Sequence, residues 1–139
     1  MTPTELNEIT GKIIELSIKV HKSLGPGMLE GAYESRLTHE LVKHGFKVER
    51  QKKLPIVYDG IRLDAGYRLD LLVNDAVIVE VKAVQRIHPV HEAQLLSYLR
   101  MTDRKLGLVI NFNMKMLRDR VKRVVNNFWK SQRSPRSLR

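Results

Sequence analysis

The chain has 139 residues, 42% hydrophobic and 29% charged, with no cysteine; it fits one compact domain and excludes disulfides, thiolate zinc sites and cysteine nucleophiles. No apolar run approaches the roughly 18 residues of a membrane span, and the start, Met1-Thr-Pro-Thr-Glu, lacks a basic-then-apolar leader, so a soluble cytoplasmic protein is expected. The net charge of +10 is uneven: residues 1–114 hold 16 Lys/Arg against 14 Asp/Glu, whereas residues 115–139 hold nine against Asp119 alone, a block that either attracts polyanions, nucleic acid above all, or merely solvates a tail.

Residues 4–24 read as an amphipathic helix, with Leu6, Ile9, Ile13, Leu16, Val20 and Leu24 at spacings of three and four and Thr4 as its N-cap. Gly25-Pro26-Gly27 stops it. A second helix, about 28–44, carries Leu29, Tyr33, Leu37 and Leu41 on one stripe and ends at Gly45. Residues 47–58 favour strand, up to the hairpin signal Tyr58-Asp59-Gly60. Residues 61–73 alternate: Leu63, Ala65, Tyr67, Leu69, Leu71 and Val73 take one face, Asp64, Gly66, Arg68 and Asp70 the other. Asn74-Asp75 turns the chain into a strand at about 77–83. A third helix spans about 89–102, Pro89 in its first turn. Leu106 to Phe112 suits a buried strand, and 119–126 fits either a last strand or a short helix. The predicted order is α-α-β-β-β-α-β: an α/β (α+β) domain over 1–126 with a mixed sheet of four or five strands and helices on both faces, followed by a basic, disordered tail over 127–139.

The chemistry gathers on the central hairpin. In Val77-Ile78-Val79-Glu80-Val81-Lys82-Ala83, Glu80 and Lys82 share a face of an otherwise apolar strand. A buried Glu–Lys ion pair is one reading, though such pairs do little for a fold. A three-residue connection, Asn74 to Ala76, sets Asp70 opposite Glu80 on the same face; a two-residue connection would put it on the other. Like charges placed so repel, and a divalent cation between them reverses the sign. Asp70, Glu80 and the Val81 carbonyl form an all-oxygen set suited to Mg2+, with Mn2+ as a substitute, and Lys82 is placed to orient water or neutralise phosphate charge.

Flanking groups carry two readings each. Glu30 and Glu34 are either acids favoured near a helix N-terminus or additions to the metal set. His91, Gln94 and Tyr98 form either a partly exposed helix face, Tyr98 half in the core, or groups that bond substrate and brace the site, with His91 structural or a general base. Trp129 packs or stacks on a base. Lys115, Arg118, Arg120, Lys122, Arg123 and Lys130 are the candidate phosphate contacts.

Gly27-Met28-Leu29-Glu30-Gly31-Ala32-Tyr33-Glu34 has the form G-x-x-E-x-x-Y-E. With Leu63-Asp-Ala-Gly-Tyr-Arg-Leu-Asp70, Val79-Glu-Val-Lys-Ala83, Pro89-Val-His-Glu-Ala-Gln-Leu-Leu-Ser-Tyr98 and Gly107-Leu-Val-Ile-Asn-Phe112, it makes residues 5–126 resemble the bacterial GxxExxY family of the PD-(D/E)XK nuclease superfamily. The resemblance implies a restriction-endonuclease-like α-β-β-β-α-β core and magnesium-dependent cleavage of nucleic acid, DNA before RNA, in a superfamily whose members often pair as homodimers. By the same resemblance Asp70 is the motif aspartate, here preceded by Leu69 rather than proline, Glu80 the second acid and Lys82 the motif lysine. Glu34 is the first-helix acid, and Gln94 and Tyr98 are the Q-x-x-x-Y pair of RecB-type exonucleases. The alternative is a non-catalytic nucleic-acid-binding or protein-interaction module on the same fold.

Overall fold

The computed structural model describes residues 1–63, 66–113 and 121–127. In chain order the elements are α1 (Pro3–Leu24), α2 (Glu30–Lys43), β1 (Val48–Lys53), β2 (Ile56–Tyr58), β3 (Ile61–Leu63), β4 (Arg68–Val73), β5 (Val77–Lys82), α3 (Pro89–Met101), β6 (Leu106–Asn111) and β7 (Val121–Val125). The main sheet has five strands in the order β1-β4-β5-β6-β7. Among the described strands of this sheet only β5 and β6 run parallel, joined over the sheet by α3; the other neighbours are antiparallel. This is the expected α-β-β-β-α-β core.

Local chemistry explains the boundaries. Thr2, not Thr4, caps α1: its hydroxyl accepts from Glu5 N–H while the Glu5 carboxylate accepts from Thr2 N–H, because Pro3 takes the first helical position where a missing N–H does no harm. After α2, Gly45 adopts φ +88° while Gly45 N–H donates to Val42 O and Phe46 N–H to Leu41 O, the paired bonds that close a helix through a left-handed residue. The predicted strand 47–58 breaks at Leu54-Pro55, where proline removes a ladder donor. Asp59 and Gly60, both at positive φ, turn β2 into β3, but this hairpin forms a separate two-stranded sheet rather than extending the main one. Within the predicted segment 119–126, residues 121–125 form a strand: β7 pairs with β6 from Ile110↔Val121 to Leu106↔Val125, while 119 and 120 lie outside the described residues.

Two apolar layers sandwich the sheet. Leu71, Val73, Val79 and Leu108 pack under α1 and α2 with Ile13, Leu16 and Leu37; Leu72, Ile78 and Val109 pack under α3 with Leu95 and Leu99. The alternation breaks at Asp70: Leu69 joins the α3 layer although Leu71 and Val73 lie in the other. Gln51, which falls across from Asp70 in the β1–β4 register, has φ +49°, and that pair makes no ladder bridge. A local kink there accounts for the change of face.

The seat of α3 depends on Gly107. A Cβ at this position would lie 2.9 Å from Leu95 Cδ1 and 3.1 Å from the Ile78 carbonyl oxygen. Gly107→Ala is therefore expected to lift α3 and destabilise the domain by about 1–3 kcal/mol in urea denaturation. An unchanged midpoint would show that this contact does not set the helix position.

Candidate active site

The connection from β4 to β5 has the required length. Asn74 and Asp75 both take positive φ, Ala76 N–H donates to Val73 O, and Val73 pairs with Val77, Leu72 with Ile78 and Leu71 with Val79. The next step in this register brings Asp70 to Glu80. There the two side chains replace main-chain acceptors. Asp70 N–H donates to Glu80 Oε2 at 2.9 Å, and Val81 N–H donates to Asp70 Oδ2 at 2.8 Å. These bonds hold two carboxyl groups against each other at the end of the paired ladder. Glu80 is buried, and its carboxyl is pushed up to about 8, by burial first and by the charge of Asp70 second. Asp70 Oδ1 and Glu80 Oε1 take no main-chain bond among the described residues. A buried acid beside a second acid is an arrangement short of positive charge.

Lys82 lies one pleat beyond Glu80 on the same face, half-buried and in no ion pair with a described residue, and its charge opposes the upward shift of Glu80. Main-chain bonds fix its strand end. Phe112 N–H donates to Lys82 O, and the buried Asn111 side chain accepts from Val84 N–H and donates to Val84 O. Glu30 Oε2 accepts from Ala83 N–H at 3.2 Å. The exposed Glu30 thus grips the backbone just beyond Lys82.

Glu34 is buried and stands off from the pair. Gln51 Nε2 bridges the gap, donating to Glu34 at 2.9 and 3.1 Å and to Asp70 Oδ1 at 3.3 Å, and Arg50 Nε lies 3.6 Å from Glu34 Oε1. Among the described residues, no three His, Asp or Glu side chains come together closely enough to hold a metal ion. The remaining residues of the sequence motif do architectural work: Gly27 takes φ +97°, and the Tyr33 hydroxyl donates to Gly25 O and accepts from Met28 N–H while its ring stacks on Phe112 at 4.6 Å. That staple aims the start of α2, and with it Glu30 and Glu34, at the end of β5.

From α3, Tyr98 is buried rather than half-exposed, because its ring enters the layer with Leu95 and Leu99. Burial pushes its hydroxyl above the usual phenol range, Glu80 and Asp70 add to this, and a bond with exposed Gln94 opposes it. His91 is half-buried; burial, then Lys82 and His88, lower its pKa, so it is neutral near neutral pH. Its Nδ1 accepts from His88 N–H at 3.1 Å.

The basic candidates divide. Lys115, Arg118, Arg120 and Lys130, with Trp129, lie outside the described residues. Lys122 and Arg123 project from opposite faces of β7. Lys122 shares a row with Val109 and Glu80, about 10 Å across two strand spacings from β5. Arg123 is on the α1 side, where it donates to Asn7 at 2.6 Å. Gln51 and Arg50 escaped sequence reading. Their only signal was a register with Asp70 that no local motif encodes.

Compared with known proteins, residues 7–124 match a family model described as the PD-(D/E)XK nuclease superfamily. Over 77 residues the chain is 34% identical to the large ribosomal subunit protein bL9 of Clostridium beijerinckii, covering 55% of this chain and 49% of that one. The chain thus spans about half the length of that curated relative. No solved structure matches.

Proposed function

This chain belongs to the PD-(D/E)XK nuclease superfamily, and from that membership we propose that it is a divalent-metal-dependent nuclease hydrolysing phosphodiester bonds of nucleic acid, with DNA as the first substrate. The observation that carries the reading is the Asp70–Glu80 pair, held in register and cross-bonded to the opposing main chain. Its donors are all oxygen, and its buried acid is pushed up to about 8 by burial first and by the charge of Asp70 second, with Lys82 offsetting only part of this. That fits a hard divalent ion such as Mg2+, with Mn2+ as a substitute.

Asp70 and Glu80 would hold the ion, with the Val81 carbonyl as a third donor and Glu34 acting through Gln51. When bound, the ion supplies the charge that offsets the phosphate oxygens. Lys82 orients the attacking water and offsets charge developing on the phosphate. His91 stands near Lys82 with its Nδ1 engaged by the His88 N–H, so it could take a proton only by giving up that bond. Gln94 and Tyr98 hold the far wall, and Lys122 provides a phosphate contact in the row of Glu80. No helix among the described residues is long and apolar enough to cross a membrane.

Incubation of the full chain with DNA and RNA tests the proposal. Cleavage is expected with magnesium or manganese and none with EDTA. A wild type that cuts neither polymer with either ion would leave the second reading, a binding module on a nuclease fold. The half-length match to a protein of the large ribosomal subunit is compatible with that module.

A further inference from the structure

A groove of about 490 Å³ runs between α3 and the chain that leads into and out of the β2–β3 hairpin, lined by Tyr67, Tyr98, Gln94, Ser97, Arg100 and Ile56. Tyr67 stands at its rim with 41% of its surface exposed, and its ring meets Tyr98 edge-on at 6.1 Å and 63°. An aromatic ring at the rim of a groove offers a flat apolar face with a polar tip. Tyr98 lines the groove and also feels the charge of Glu80 and Asp70, and Gln94, on the same wall, bonds Tyr98. Tyr67 lies three residues before Asp70, about 10 Å along an extended chain. Arg100 adds a cation at the groove wall.

We propose that this groove is a nucleobase subsite, in which Tyr67 stacks on an unpaired or terminal base of the strand whose backbone crosses Asp70 and Glu80. The inference rests on the nuclease reading and narrows its substrate class. A base inside a duplex has both faces covered by its neighbours, so the Tyr67 ring can reach only a base that is single-stranded, overhanging or at an end. The groove is within the size range of small-molecule pockets and its walls are largely apolar, which suits a base face. Arg100 faces the phosphates that flank such a base. The enzyme therefore works on single strands, overhangs or ends in preference to continuous duplex.

The test measures fluorescence anisotropy of the full chain with labelled single-stranded DNA, single-stranded RNA of the same sequence and the blunt DNA duplex, with calcium replacing magnesium to hold turnover down. Tyr67→Leu is expected to weaken single-strand binding by about tenfold, on the DNA or the RNA arm, while changing duplex binding by less than about twofold. Tyr67→Phe keeps the ring and should bind as wild type does. Ser97→Leu, an exposed position on α3, should reproduce the loss by narrowing the groove without touching Tyr67. The proposal is overturned if Tyr67→Leu binds single strands normally, loses both forms equally, or is matched by Tyr67→Phe. If the wild type still cuts DNA with magnesium in that case, the base groove alone falls. A wild type that neither binds nor cuts any of the three would remove the nuclease reading as well.

Discussion

Lys82→Ala is expected to lower magnesium-dependent cleavage by about 10²–10⁴-fold while leaving nucleic-acid binding within a few-fold of wild type. The expectation follows from position. Lys82 is held by β5, which pairs with β6 as far as Lys82↔Asn111, and by the grip of Glu30 on the next amide. Its removal leaves both carboxylates and their main-chain bonds intact, because neither Asp70 nor Glu80 relies on it for a hydrogen bond. On the proposed mechanism the lost group is a cation beside the phosphate, and its loss should act on the chemical step more than on the ground state. Single-turnover cleavage alongside anisotropy separates the two effects. A variant that cuts at the wild-type rate would take the lysine out of the chemistry, and one that no longer binds would make it a simple phosphate anchor.

The second large effect is on stability and ion binding as functions of pH. In the folded, ion-free protein Glu80 keeps its proton to about pH 8, whereas the unfolded chain releases it near its ordinary value of 4.5. Between those values the folded state binds more protons than the unfolded one, so stability falls as pH rises through this window and levels off above about 8. The full effect is bounded at about 5 kcal/mol. An ion that binds the ionised pair must displace this proton, so the rise in Tm caused by magnesium should be small at pH 5.5 and large at about pH 8.5. Glu80→Gln, which keeps the shape and removes the charge, should flatten the pH dependence, raise the Tm of the ion-free protein at high pH, and abolish the magnesium shift. Thermal melts across pH, with magnesium and with EDTA, read all three. A magnesium shift that is the same at both ends, or that persists in Glu80→Gln, would place the ion elsewhere.

Much of this architecture could be read from local pattern. The stripe Leu6, Ile9, Ile13, Leu16, Val20 announced α1 because a helix must bury one face. The β4–β5 register was legible because a three-residue loop and period-two side chains leave one way to bury Leu71, Val73, Val77 and Val79 together. The alternating run 61–73, in contrast, suggested one long strand, yet the chain forms β3 and β4 in two different sheets. Alternation reports that a segment is half-buried; it does not say against which partner. Residues 119–126 were ambiguous for a related reason. β7 is an edge strand with Lys122 and Arg123 exposed, so burial imposes little pattern on it.

What the sequence determined by itself is the inventory and its period: two carboxylates and a lysine on one face of a hairpin, acids at the head of α2, a polar stripe on α3. Hydrogen-bond valence and side-chain alternation are local properties, and a linear reading captures them. Only the tertiary structure decided which of these groups touch. It set Gln51 between Glu34 and Asp70, turned Glu30 onto the Ala83 amide, sank Tyr98 into the core and left Tyr67 open on the groove. Those outcomes depend on the crossing of α2 and α3 over the sheet and on one kink at Gln51, and such contacts join residues far apart along the chain, where no local spacing rule reaches.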